Sequence, residues 1–286
     1  MTRLGLLFLR LLHHLPRPAL AAIGRFLGGL LYYSDRGRIA RINLGLCFPE
    51  LDEAARADLA RRHFRVLGGA AFEQTILWFG SDARVRSMIR LVGREHLDPL
   101  LGTPVILLAP HFVGLDYGGA CIGLAFDVCS MYSQQKNPVV NELMLQTRRR
   151  WGNPALVSRQ QGPRPLVRHI RKGLPCYYLP DMDFGARDAV FVPFFGVPAA
   201  TVTALSRLVR ATGAKVVPCV TRQCAQDYEI RLYPAWEDFP GESVEADTRR
   251  MNEFIEARIR EMPEQYFWVH KRFKTRPPGE RSYYDK

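Results

Sequence analysis

Lysine is scarce in this chain. Of 40 basic residues, only six are Lys, at 136, 172, 215, 271, 274 and 286; against 28 acids the net charge is +12. Guanidinium binds phosphate and carboxylate in fork geometry, so an Arg-rich surface suits ligands of that kind. A charge of this size calls for an anionic partner: nucleic acid, an anionic membrane or an acidic protein. Long uncharged apolar runs are also missing. "LGLLFLRLLHHLPRPALAAIGRFLGGLLYY" is dominated by Leu, but Arg10, Arg17 and Arg25 interrupt it, and no stretch reaches the ~18 residues a spanning helix needs. Six Cys stand at 47, 121, 129, 176, 219 and 224, with no Cys-x-x-Cys pair. That argues against a zinc site or disulfide framework and leaves small buried hydrophobes in a reducing compartment. G-x-S-x-G, G-x-x-x-x-G-K-[ST], G-x-G-x-x-G and H-E-x-x-H are all missing. Their absence demotes elbow-type serine hydrolases, P-loop enzymes, dinucleotide dehydrogenases and the commonest zinc hydrolases.

What is present reads as a globular chain, 47% hydrophobic and 24% charged, which excludes disorder. Leu7, Phe8, Leu11 and Leu15 follow helical spacing until Pro16 and Pro18 break the run. Two short amphipathic helices lying in a membrane interface are expected, with 1–34 as anchor and 35–286 as one domain. A signal peptide ending in "ALA" at 19–21 competes poorly, because Arg10 splits its apolar core. A helical hairpin packed on the domain is the other alternative. From "FPELDEAARADLARRHFRVLGGAAFEQTILWF" a long helix is expected. Strand signals then alternate with helical ones: strands near 105–109, 128–132, 175–179, 190–195, 215–221 and 228–233; helices over 115–126, 139–151, 165–172, 201–212 and 244–262. The pattern predicts an α/β sandwich, a mixed central sheet flanked by helices.

One stretch raises a chemical question. In "VILLAPHFVGLD" at 105–116, an apolar strand ends at Pro110, and His111 and Asp116 follow at once. Five residues apart on one helix they would diverge by about 140°, so they can meet only if His111 lies in the preceding loop and curls back. An ionised Asp on one ring nitrogen leaves the other free to take a proton from an attacking hydroxyl. A bare His-x4-Asp is more often an Asp at a helix start beside a chance His. Elsewhere "RRR" at 148–150 reads alone as a solvated helix face, and Asp181 and Asp183 in "LPDMDFG" as turn formers. Phe191, Phe194, Phe195, Val197 and Pro198 suit either core or the wall of an apolar channel. Thr201 is placed to cap the following helix.

Four blocks change that weighing: "VILLAPHFVGLD", "LQTRRRWG" at 145–152 followed by Arg159, "YYLPDMDFGARDAVFVPFFGVPAATVTALSRLVRATGAKVVP" at 177–218, and "PEQYFWVHKRFKTRPPG" at 263–279. Through them the chain resembles the bacterial lipid A biosynthesis (late) acyltransferases of lauroyl or myristoyl type, relatives of the glycerol-phosphate and lysophospholipid acyltransferases. That resemblance implies a glycerolipid-acyltransferase-like fold, with His111 as general base and Asp116 as its orienter. The lipid A group often carries Glu where this chain has Asp116. Arg150 and Asp181 take the positions of further functional residues, with Arg149 as the alternative one register along and Arg159 nearby as a substrate-binding candidate. Arg150 would hold a phosphate or an oxyanion; Asp181 or Asp183 would orient it, or a sugar hydroxyl. The implied reaction moves an acyl chain from acyl carrier protein to a hydroxyl of a phosphorylated, Kdo-bearing lipid A precursor at the cytoplasmic face of the inner membrane. No cofactor or metal is expected. The basic runs Arg164–Lys172 and Lys271–Arg276 fit the acidic carrier and the phosphorylated lipid. A lysophospholipid or other glycolipid acceptor, with acyl-CoA as donor, is the alternative. A non-catalytic basic protein binding nucleic acid or scaffolding a membrane belongs to another class; the spread of the Arg residues and the lack of a recognised module argue against nucleic acid.

Overall fold

Val105, Ile106, Leu107 and Leu108 are all fully buried, as expected of a strand covered on both faces. They form β2 (Val105–Leu108) in a computed structural model that describes residues 3–285. Met1 and Thr2 of the expected anchor, and Lys286, lie outside the described residues. Around β2 the sheet contains β1 (Ile89–Val92), β3 (Cys129–Tyr132), β4 (Ala155–Ser158), β5 (Cys176–Tyr178), β8 (Lys215–Gln223) and β9 (Tyr228–Leu232), in the order β1-β9-β8-β2-β5-β3-β4. Only the β8–β9 pairing is antiparallel. Beside this mixed sheet, β6 (Ala189–Phe194) and β7 (Val197–Val202) form a separate antiparallel hairpin.

Side chains alternate across a strand, and β2 divides accordingly. Ile106 and Leu108 join one core with Leu166, Leu205 and Ile255, from α8 (Arg164–Arg171), α9 (Ala204–Thr212) and α10 (Val244–Glu261). Val105 and Leu107 join the other, with Tyr117 and Ile122 of α6 (Leu115–Ala125). The remaining helices are α1 (Arg3–Leu12), α2 (Arg17–Leu31), α3 (Asp35–Cys47), α4 (Glu53–Phe79), α5 (Asp82–Arg86) and α7 (Pro138–Arg150). Asp52 caps the long α4 by accepting from Ala55 N–H at 2.7 Å. The six cysteines are free thiols, and all but Cys224 are buried.

The structure differs from the sequence reading at the hairpin. Residues 201–202 finish β7 instead of opening a helix, because the Phe195–Gly196 turn folds 197–202 back onto 189–194. Thr201 therefore caps nothing; its hydroxyl is buried and accepts from Arg272 at 2.7 Å. Phe194 is fully buried while Phe191 is 38% exposed, so the two point to opposite faces and do not line one channel together. The short strands β1 and β4, and helix α3, carried too little pattern to be read.

α2 is a packed element, as in the hairpin alternative, with Leu20, Ala21, Gly24 and Gly28 buried. A methyl group built on Gly24 or Gly28 would strike the backbone of α4 at Gly68 and Phe64. Glycine is what lets the two axes approach. No described helix is long and apolar enough to cross a membrane. Gly28→Ala must push α2 off α4, and overpacking of this kind costs about 1–3 kcal/mol. A lowered denaturation midpoint with unchanged slope checks it, and an unshifted midpoint would contradict it.

Candidate active site

β2 and β5 are parallel neighbours with Leu108 opposite Tyr178, and Ala109 N–H extends the pairing to the Tyr178 carbonyl at 2.8 Å. Three residues beyond each strand stand His111 and Asp181. Parallel strands in register thus deliver an imidazole and a carboxylate side by side at their C-terminal ends, the usual location of sites in open α/β sheets. His111 Nδ1 donates to Asp181 Oδ1 at 2.7 Å, and the His111 backbone N–H reaches both carboxylate oxygens at 3.2 and 3.0 Å. The Asp181 side chain has no solvent exposure, and that of His111 has 19%. Nε2 of His111 has no hydrogen-bond partner among the described residues.

Burial alone would raise the Asp181 pKa. The charge of His111, its two hydrogen bonds and one from the Tyr266 hydroxyl outweigh that effect and hold it below the usual carboxylate value. An ionised Asp181 fixes Nδ1 as the protonated ring nitrogen and leaves Nε2 as an acceptor, the arrangement a general base requires.

Asp116 stands elsewhere. It is exposed in the first turn of α6 and accepts from Gln74 Nε2 at 3.0 Å. The expected pairing of His111 with Asp116 is therefore replaced by pairing with Asp181. The reason is local. Phe112 N–H turns back to the Pro110 carbonyl and Gly114 adopts φ +86°, and at Gly114 any side chain would strike the Tyr228 ring. The turn leaves the His111 ring on the β5 side of the loop.

Arg150 tethers α7 to the end of α4. Its guanidinium donates to the Trp78 carbonyl at 3.4 Å, to the Gly80 carbonyl and to Asp82 at 2.7 Å, and stacks 4.3 Å over the Trp151 ring. Arg149 is exposed. Arg159 lies 4.1 Å over Phe184, on the loop that follows Asp181. Of the two basic runs, Arg164, Arg168, Arg171 and Lys172 are exposed around a groove of about 440 Å³. The other run turns inward: Arg272 is buried against Ala200 and Thr201, and Arg276 bonds Pro198, Glu280 and Tyr283. Those two arginines are spent on internal contacts, while Lys274 stays exposed.

The sequence reading missed the C-terminal segment as a positioning element. Phe267 N–H donates to the His111 carbonyl at 3.0 Å, and Val113 N–H to the Gln265 carbonyl at 2.7 Å. Asp183 accepts from Thr275 N–H, Thr275 Oγ1 and Gly185 N–H, while its own N–H donates to His270 Nε2 at 2.8 Å. His63 of α4, fully buried, bonds the Glu264 carbonyl at 3.0 Å. The block 263–279 was visible as a motif, but nothing in its spacing said which residues it would touch. No group of three or more His, Cys, Asp or Glu fit to hold a metal occurs among the described residues.

Comparison with known proteins settles the family. The model of the bacterial lipid A biosynthesis acyltransferases matches residues 1–275. The chain belongs to that family. It is 33% identical over 99% of its length to the Escherichia coli lipid A biosynthesis lauroyltransferase, covering 94% of that protein. The palmitoleoyltransferase of the same organism is 34% identical with the same coverage, and the myristoyltransferase is 34% identical over 92% of this chain and 82% of its own. As a member of the family, the chain is an acyltransferase of late lipid A acylation.

Burial pushes His63 of this acyltransferase from 6.5 to about 4, its bond to Glu264 opposing only part of that fall. Because the folded pKa lies below the unfolded one, the unfolded chain binds more protons between those values. Stability is therefore lost as pH falls from about 6.5 towards 4, by about 3 kcal/mol for this group. Urea unfolding across that range should show the loss, with a shallower slope in His63→Asn. Equal slopes would contradict the burial argument.

Proposed function

We propose that this acyltransferase moves a fatty acyl chain from acyl carrier protein to a hydroxyl of a Kdo-bearing lipid A precursor, with His111 as general base. Nε2 takes the hydroxyl proton as the oxygen bonds to the thioester carbonyl carbon. The carbon–sulfur bond then breaks, and the leaving thiolate takes that proton back from the imidazolium. Asp181 holds the ring and stabilises the imidazolium. The observation that carries this reading is the 2.7 Å bond from His111 Nδ1 to a buried carboxylate, with Nε2 unpartnered among the described residues and the His111 side chain 19% exposed. In this reading Asp116 ties α6 to α4 through Gln74, and Arg150 ties α7 to the end of α4.

The exposed basic groove on α8 suits an acidic carrier protein, whose approach would be steered by charge and weakened by salt. Attachment to the cytoplasmic face of the inner membrane is proposed through α1 and α2. Phe8, Leu11, Phe26 and Leu30 there are 59%, 61%, 68% and 55% exposed, an apolar face that water disfavours and a lipid interface accepts.

The test is an acyl-transfer assay on purified protein with acyl-carrier-protein thioesters and a tetra-acylated, Kdo-bearing precursor, read by mass. One acyl mass should be added, and His111→Ala should lower the rate by about 10²- to 10⁴-fold. Asp181→Asn should fall into the same range and Asp116→Asn well short of it. A variant order with Asp116→Asn as the more damaging would sink the Asp181 assignment. Transfer only from acyl-CoA to a lysophospholipid would sink the donor and acceptor.

A further inference from the structure

A cavity of about 400 Å³ opens between α2, α4 and the β8–β9 hairpin, lined by Arg17, Arg25, Arg65, Glu73, Gln223 and Gln265 among others. Its one acid is already satisfied. Glu73 is 2% exposed, accepts from Tyr228 Oη at 2.6 Å and from Gln223 Nε2 at 3.3 Å, and pairs with Arg17 Nε at 3.0 Å. Arg17 is thereby neutralised and held as part of the wall. Arg25 and Arg65 are not. Both are exposed at the cavity, and neither has a hydrogen bond or ion pair with any of the described residues. Two unpaired guanidiniums facing one cavity repel each other and attract an anion that both can fork.

The surroundings say what carries that anion. Arg25 stands between Ile23 and Phe26 on α2, 37% and 68% exposed, and Leu27 and Leu30 continue the apolar surface. Charge beside exposed aliphatic and aromatic side chains is the pattern of a lipid with an anionic head. On its inner side the cavity is lined by Gln265, whose carbonyl holds Val113 N–H two residues from His111.

We infer that this cleft binds the phosphate group of a lipid, Arg25 and Arg65 taking its oxygens and the apolar face of α2 meeting its chains. The inference rests on the membrane attachment proposed above and not on the acyl-transfer chemistry. The phosphate can belong to a bilayer phospholipid or to a phosphorylated acceptor, and the recognition is the same.

The test is calorimetric titration of the full chain with short-chain phosphatidic acid below its micelle concentration, and separately with inorganic phosphate. The charge-matched variants are Arg25→Gln/Arg65→Gln and Arg164→Gln/Arg168→Gln. Phosphatidic acid should bind wild type, weaken by about tenfold or more in Arg25→Gln/Arg65→Gln, and be unaffected by Arg164→Gln/Arg168→Gln. Much weaker binding of inorganic phosphate is expected, because the chains contribute; binding as tight as that of phosphatidic acid would overturn the inference that the ligand is a lipid. No binding by wild type, retention in Arg25→Gln/Arg65→Gln, or equal loss in both variants would overturn the inference. Flotation with phosphatidylcholine vesicles, with and without phosphatidic acid, separates this result from membrane attachment. Failure to float with calorimetric binding intact would count against the attachment alone.

Discussion

The register between β2 and β5 is the constraint on which the site depends. Because Leu108 faces Tyr178 across a parallel ladder, residues at equal distance beyond the two strands emerge together, and these are His111 and Asp181. Slipping that register by one residue would turn every strand side chain to the other face. It would place Ile106 and Leu108 among the partners of Val105 and Leu107, so the two cores resist the slip. Packing that keeps β2 fully buried therefore also sets the geometry of the imidazole and carboxylate.

Register alone does not hold the loop. The segment after α10 has little regular structure, yet Trp268 and Phe273 are almost wholly buried. Buried polar groups fasten it: Asn43 donates to the Trp268 and His270 carbonyls at 2.7 Å each, and Arg272 bonds Ala200 and Thr201. Each such group would be costly left unpaired, so the segment has few alternative positions. It clasps the His111 loop from one side while β5 holds it from the other. The N-terminal helices join the same construction, since Asn43 lies on α3 and His63 on α4.

Much of the architecture could be read from pattern. Runs such as Val105–Leu108 and Lys215–Thr221 are too apolar and too short to be helices, and the caps and periodicity of 53–79 and 244–261 mark them as helical. The family was legible in four motif blocks. His111 stands out in the sequence, and spacing and resemblance both pair it with Asp116, whereas in the structure its ring hydrogen-bonds Asp181. Neither spacing nor motif predicts that contact, which forms through strand pairing across 70 residues. The C-terminal ends of two neighbouring strands would have been the better signal. At the hairpin, Thr201 looked like a cap only because the Phe195–Gly196 reversal leaves no periodic trace. The second basic run was matched to anionic partners because composition does not reveal that Arg272 is buried.

The central claim is that Asp181 holds His111 with its proton on Nδ1, leaving Nε2 to accept. ¹⁵N NMR of the histidine rings near neutral pH, with His111 assigned by substitution, measures that directly. In the neutral ring, a proton on Nδ1 in wild type, with this tautomer preference lost in Asp181→Asn and kept in Asp116→Asn, is the predicted result. A His111 protonated at Nε2, or one whose tautomer follows Asp116 instead of Asp181, would contradict the account.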